Sequence, residues 1–102
     1  MVEQLRCGQK NGMSMIMKDL ERTIKALANK RRLAILRYLK SGGEASVGNI
    51  AAEIRLSFRS TSKHLGVLAA ADIVEKDQRS LQIFYKIAPS QKLAAKYIIS
   101  LL

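Results

Sequence analysis

The run Ser57-Phe58-Arg59-Ser60-Thr61-Ser62-Lys63-His64 gathers side chains suited to contact with a polyanion. Thr61, Leu65 and Leu68 recur at four-three spacing, the inward stripe of a helix. That stripe turns Arg59 and Lys63 outward, four residues apart, together with Phe58, Ser60 and Ser62. Such a face has the chemistry needed to read double-stranded DNA. An arginine fork matches the acceptors of a guanine edge, hydroxyls approach bases or phosphates, and apolar groups touch a thymine methyl. Ser57 is the natural cap of this helix, whose free backbone N–H groups suit a phosphate. The plain alternative is the solvated face of an ordinary helix. His64 likewise reads either as a ring packed at the helix edge or as a nucleic-acid contact.

A second basic cluster precedes this run. Residues 22–43 hold seven cations and no acid: Arg22, Lys25, Lys30, Arg31, Arg32, Arg37 and Lys40. Lys30, Arg31 and Arg32 stand at a predicted helix start, where the macrodipole disfavours positive charge. Phosphate contact explains Lys30 and Arg31 most simply. Solubility is the alternative, and for Arg32 a carboxylate partner within the chain. Lys76, Arg79 and Lys86 lie on or near a predicted hairpin, where a cation gains from the potential of a minor groove. Arg79, at the loop, is the foremost of these. The whole chain of 102 residues carries 18 Lys and Arg against 8 Asp and Glu, a net charge of +10. A polyanion is the expected partner, nucleic acid ahead of an anionic membrane surface.

Other chemistry is poorly served. The chain shows no paired carboxylates in a motif, no nucleophile–His–acid set beyond chance and no Gly-rich phosphate loop. The expectation is no enzyme, no catalytic residue and no cofactor. Cys7 is the single cysteine and His64 the single histidine, too few to build a transition-metal site within one chain. One cysteine allows no intramolecular disulfide, which fits a reducing compartment. No apolar run approaches the ~20 residues of a membrane span. No signal peptide is read in the Met13–Met17 stretch, so a cytoplasmic, nucleoid-associated protein is expected.

The elements that must position these residues follow from periodicity. Residues 1–12 read as a flexible tail, and 13–102 as one domain. Met13, Met17, Leu20, Ile24 and Leu27 form a heptad-like stripe on a first helix, over about 13–28. Asn29 caps a second helix with Leu33, Ile35, Leu36 and Leu39 inside, stopped by Ser41-Gly42-Gly43. Ser46 caps a third, with Val47, Ile50, Ala51 and Ile54, and Ser57 opens the fourth. Ile73-Val74 and Gln82 to Ile87 read as strands. The intervening Asp77–Leu81 has no glycine, which predicts a loop of several residues rather than a tight turn. Pro89-Ser90 begins a last helix, about 90–102, with Leu93, Tyr97, Ile98 and Leu101 on one side. The fold class is mainly α with a small β-hairpin, in the order α-α-α-α-β-β-α. A helix-turn-helix followed by a hairpin is a winged helix.

From Leu27 to Ile87 the sequence resembles the ArsR/SmtB family of dimeric winged-helix repressors. The resemblance is carried by Leu27-Ala28 with Arg32 and Ile35-Leu36, and by Leu56-Ser57 with Ser62-Lys63-His64-Leu65 and Val67-Leu68. Ala71-Asp72-Ile73-Val74 and Phe84-Tyr85-Lys86-Ile87 add the wing. It implies a recognition helix at Ser57–His64 and a homodimer in which the first and last helices pair across a two-fold axis. Arg55 and Asp72 stand where the family usually has Gly. Its metal ligands are missing too. Ser46 and Gly48 occupy the places of a Cys-x-Cys pair, and residues 89–102 contain no His, Asp, Glu or Cys.

The expected function is sequence-specific binding of double-stranded DNA by a dimeric, metal-independent transcription repressor. Two alternatives remain at this level: a sequence-tolerant architectural DNA binder, and a winged-helix module that docks proteins.

Overall fold

In the computed structural model the described residues are 16–102. The expected tail, Cys7 and Met13 lie outside them. Residues 16–27 form helix α1. It is followed by α2 (Lys30–Gly42), β1 (Glu44–Ser46), α3 (Val47–Ile54), α4 (Phe58–Ala70), β2 (Val74–Arg79), β3 (Gln82–Ile87) and α5 (Leu93–Ser100). The strands make one antiparallel sheet in the order β1-β3-β2.

Side-chain caps set the helix starts. The Asn29 side chain accepts from the backbone N–H groups of Arg31 (2.9 Å) and Arg32 (3.1 Å). Ser46 Oγ accepts from Asn49 N–H at 3.2 Å, and Ser57 Oγ from Ser60 N–H at 3.0 Å. Each satisfies donors that a helix start leaves without partners. Gly43, with φ of 87°, ends α2 by donating its N–H to the Leu39 carbonyl.

The core is aliphatic, as five aromatics among 102 residues require. Ile35, Leu36 and Leu39 of α2, Ile50 of α3, Leu65 and Leu68 of α4, and Ile73 ahead of β2 are almost wholly buried. They belong to one cluster, which Tyr85 of β3 and Ala95 and Ile99 of α5 join. Leu27, expected at a dimer interface, is 6% exposed and packs in this core instead. It lies at the very end of α1, where the chain turns into the body. Ile98 of α5 is half-buried and also packs against the protomer's own core.

Four other expectations need correction. Glu44–Ser46 forms a third strand, pairing Ser46 with Phe84 and Glu44 with Lys86. The hairpin is tight: Arg79 pairs with Gln82, leaving Ser80 and Leu81 as a two-residue turn. Ser80 takes the positive φ, 59°, that such turns demand and that glycine usually supplies. The last helix starts at Leu93 rather than Pro89, because Gln91 Nε2 donates to the Ile73 and Ala88 carbonyls and holds that segment as a loop. The first strand begins at Val74, one residue later than Ile73-Val74 suggested.

Arg55 and Asp72 are left-handed, with φ of 56° and 60°. This is the conformation that glycine adopts most readily. A non-Gly residue there costs ~1–2 kcal/mol. Arg55 stays because it closes α3: its N–H reaches the Ala52 carbonyl, and Leu56 N–H reaches that of Ala51.

Thr61 is fully buried, and its hydroxyl has no hydrogen-bond partner among the described residues. A buried unpaired hydroxyl costs ~1–3 kcal/mol. Thr61→Val keeps the shape and removes that group. It should raise stability by about 1 kcal/mol, read as a higher urea midpoint at unchanged slope.

Candidate nucleic-acid interface

Burial fixes the orientation of α4. Thr61, Leu65 and Leu68 face the core, while Phe58, Arg59 and Lys63 are exposed. Ser60 and Ser62 are half-buried at the sides of that face, and Ser57 is exposed at its start. Phe58 is 63% exposed, unusual for a large aromatic in a chain with so few. The outward face expected from the sequence is therefore present.

The start of α2 adjoins this helix. Arg32 Nη1 lies 3.2 Å from His64 Nδ1. The same guanidinium donates from Nε to the Ala26 carbonyl (2.6 Å) and from Nη2 to that of Lys25 (3.2 Å). Its partners are thus the last carbonyls of α1 and a ring on α4, not the carboxylate considered from sequence. Burial, and then the positive charges of Arg32 and Arg31, hold the His64 imidazole below its ordinary pKa. Arg31 is half-buried and Lys30 exposed at the first turn of α2. His64 is half-buried, and one of its nitrogens is already engaged within the protomer.

The wing differs from expectation. Arg79 is not an unengaged cation at a loop. Its Nη groups pair with both carboxylate oxygens of Glu44, and Nε donates to Asp77 Oδ2 at 2.9 Å. Its guanidinium also lies 4.7 Å from the centroid of the Phe84 ring. Sequence reading missed Glu44 because its three-residue strand carries no periodic signal. Lys76 is exposed on β2, and Lys86 lies 3.9 Å from Glu75. Beyond Val74, every residue of β2 is exposed, because β2 is an outer strand of the sheet, while Tyr85 of β3 reaches the core.

The terminal helices carry large apolar groups in solvent. Met17, Leu20 and Ile24 of α1 are exposed, as are Leu93, Tyr97 and the following Leu101 at the C-terminal helix. Ile16, absent from the expected stripe, joins them. An ion pair between Lys92 and Asp19 sets the start of α5 beside α1.

Among the described residues, no three His, Cys, Asp or Glu side chains are grouped as metal ligands, and no helix is long and apolar enough to cross a membrane.

Comparison with known proteins agrees with this geometry. The helix-turn-helix domain family matches residues 27–77. A biofilm growth-associated repressor of Agrobacterium fabrum is 37% identical over 78 residues, 76% of this chain. The match spans 64% of that repressor's length. Reduced HlyU from Vibrio cholerae superposes with a TM-score of 0.74 at 31% identity, covering 92% of this chain and 93% of that one. The homodimeric winged helix-turn-helix DNA-binding domain Mb0332 from Mycobacterium bovis, a possible ArsR-family transcriptional regulator, gives 0.75 at 29% identity. It covers 87% of this chain and 79% of that one. The chain belongs to this helix-turn-helix family, among the ArsR-like winged-helix transcription regulators.

Proposed function

We propose that the protein is a dimeric, sequence-specific regulator of transcription that binds double-stranded DNA and represses by occupying its site. The observation that carries this reading is the outward face of α4, with Phe58, Arg59 and Lys63 exposed on a helix whose opposite side is locked into the core. We assign base reading to Arg59, with Phe58, Ser60, Ser62, Lys63 and His64 around it. Phosphate anchoring falls to Ser57, Lys30, Arg31 and Lys76. Arg79 serves the wing's rigidity in this state. Two copies of α4, placed about one helical turn apart, would enter successive major grooves. The relatives are named as repressors and an activator of transcription, which supports regulation over catalysis.

The dimer would be made by α1 and α5, through Met17, Leu20, Ile24, Leu93, Tyr97 and Leu101, with Ile98 at the edge and Met13 extending the stripe. Leu27 supports this surface from inside the protomer. A contiguous apolar surface rarely stays open to water on a monomer. Binding requires no metal in this reading, and the protein resides in the cytoplasm on the nucleoid. The charge of +10 favours one other reading, an architectural binder that does not discriminate sequence.

Three experiments follow. Arg59→Ala should relax preference at one base pair per half-site, ~1–3 kcal/mol of discrimination, while leaving non-specific affinity nearly intact. Arg31→Ala should weaken every duplex alike and flatten the salt slope by ~1. Both are read by anisotropy titrations at several salt concentrations, on fragments selected from a random duplex library and on bulk DNA. Uniform loss in both variants would favour the architectural reading.

Glu44→Gln releases Arg79 toward the duplex. Affinity for any sequence should rise a few-fold and the salt slope steepen by ~1. The gain should vanish in the Glu44→Gln/Arg79→Gln double variant.

The wild-type protein should sediment as a dimer at micromolar concentration. Leu20→Asp with Ile24→Asp should yield folded monomers or unfolded chains. A wild-type mass of 11.3 kDa under these conditions would refute the dimer.

A further inference from the structure

We propose that Arg32 is the positioning residue of the candidate DNA interface: anchored on the last carbonyls of α1, it donates to Nδ1 of His64 and thereby presents Nε2–H as a donor to an acceptor on the duplex. The proposal rests on the DNA-binding reading above.

Three bonds from one side chain carry the argument. Nε donates to the Ala26 carbonyl at 2.6 Å and Nη2 to the Lys25 carbonyl at 3.2 Å. Both carbonyls lie in the last turn of α1, where a helix leaves acceptors without intrahelical partners. A cation at a helix C-terminus is favoured there. These two bonds fix the planar fork and leave Nη1 facing His64, 3.2 Å from Nδ1. A guanidinium has donors only and stays protonated. Nδ1 must therefore be the acceptor, which assigns the ring proton to Nε2. Among the described residues Nε2 has no partner, and it is not among the buried polar atoms left without partners.

The charges around the ring act in the same direction. Desolvation comes first, followed by Arg32 and Arg31, both on α2, and all three oppose protonation; no carboxylate counters them. A free imidazole titrates near ~6.5. The folded ring binds its proton less readily than the unfolded one. The associated stability is complete above about pH 6.5 and is lost as pH falls through the folded value. At neutral pH His64 is a neutral donor of fixed tautomer, not an extra positive charge.

His64 is the only histidine in the chain, so its ring nitrogens can be observed without ambiguity in full-length protein labelled with 15N-histidine. The wild type should show the Nε2–H tautomer at pH 7.5 and a titration below ~6.5. Arg32→Met should give mixed tautomers and move the titration upward. It should also weaken binding to library-selected duplex about tenfold, the effect of roughly one charge-assisted hydrogen bond. In a His64→Gln background the same change should matter less than about twofold, because the partner through which Arg32 acts is gone. An Nδ1–H tautomer in the wild type overturns the proposal. So does an Arg32→Met effect of equal size in both backgrounds, the mark of a purely structural prop. If Arg32→Met does not fold, Arg32→Lys keeps the cation but loses the fork; an unchanged tautomer and titration there also overturn it. Failure of the wild type to bind any duplex would instead refute the DNA reading, with the tautomer spectrum still deciding whether the clasp exists.

Discussion

Leu65 and Leu68 sit in the same buried cluster as Leu36, Leu39 and Ile50, and this burial determines what the rest of the molecule can do. Removing a leucine side chain from water stabilises by ~1.5–3 kcal/mol, so two of them set the rotation of α4 about its own axis. Rotating the helix by one residue, about 100°, would expose this stripe and bury Arg59 or Lys63. The outward placing of Arg59 and Lys63 therefore depends on an apolar constraint on the far side of the helix. The caps then set where α4 begins: Ser57 holds the first turn, and the left-handed Arg55 closes the preceding helix. The cost at Arg55 is tolerated because the corner it makes aims one helix against the other.

The basic surface divides once partners are known. Arg22 reaches the Ala70 carbonyl at the end of α4, Lys25 pairs with Glu21, and Lys40 reaches the Ser100 carbonyl. Arg32 holds α1 to α4. Arg22, Arg32 and Lys40 thus tie helices together while Lys25 pairs within α1, and a count of cations overstates the charge offered to a partner. The exposed pairs among these contribute little each, with a typical worth of ~0–1 kcal/mol. Arginine bonds to helix-end carbonyls add donors where the helix itself supplies too few.

Much of this was legible in the sequence. Asn29, Ser46 and Ser57 marked three helix starts because capping is a local interaction between a short polar side chain and the next turn. The Thr61, Leu65, Leu68 stripe gave the facing of α4 because helical periodicity is local too. What escaped depends on partners distant in sequence. Glu44 is thirty-five residues from Arg79, and Arg32 is thirty-two from His64. No spacing rule connects them. The tight turn at Ser80-Leu81 escaped for a different reason: strand pairing from Arg79 to Gln82 imposed a left-handed backbone on a serine, overriding local preference. Leu27 fitted the α1 stripe by period, yet it lies where the helix ends and the core begins.

Ser46 belongs to two structures at once. It is the last residue of β1, paired with Phe84 of the wing, and also the cap of α3. With Arg79 bonded back to Glu44 on the same short strand, the hairpin is riveted to the helix pair instead of hanging from it. The protein is then a caliper with fixed jaws. In the proposed complex, a duplex that seats α4 would have to take the wing at a set offset, so its own groove width and bendability would enter the energy of the fit. Discrimination can thereby extend to base pairs that no side chain touches.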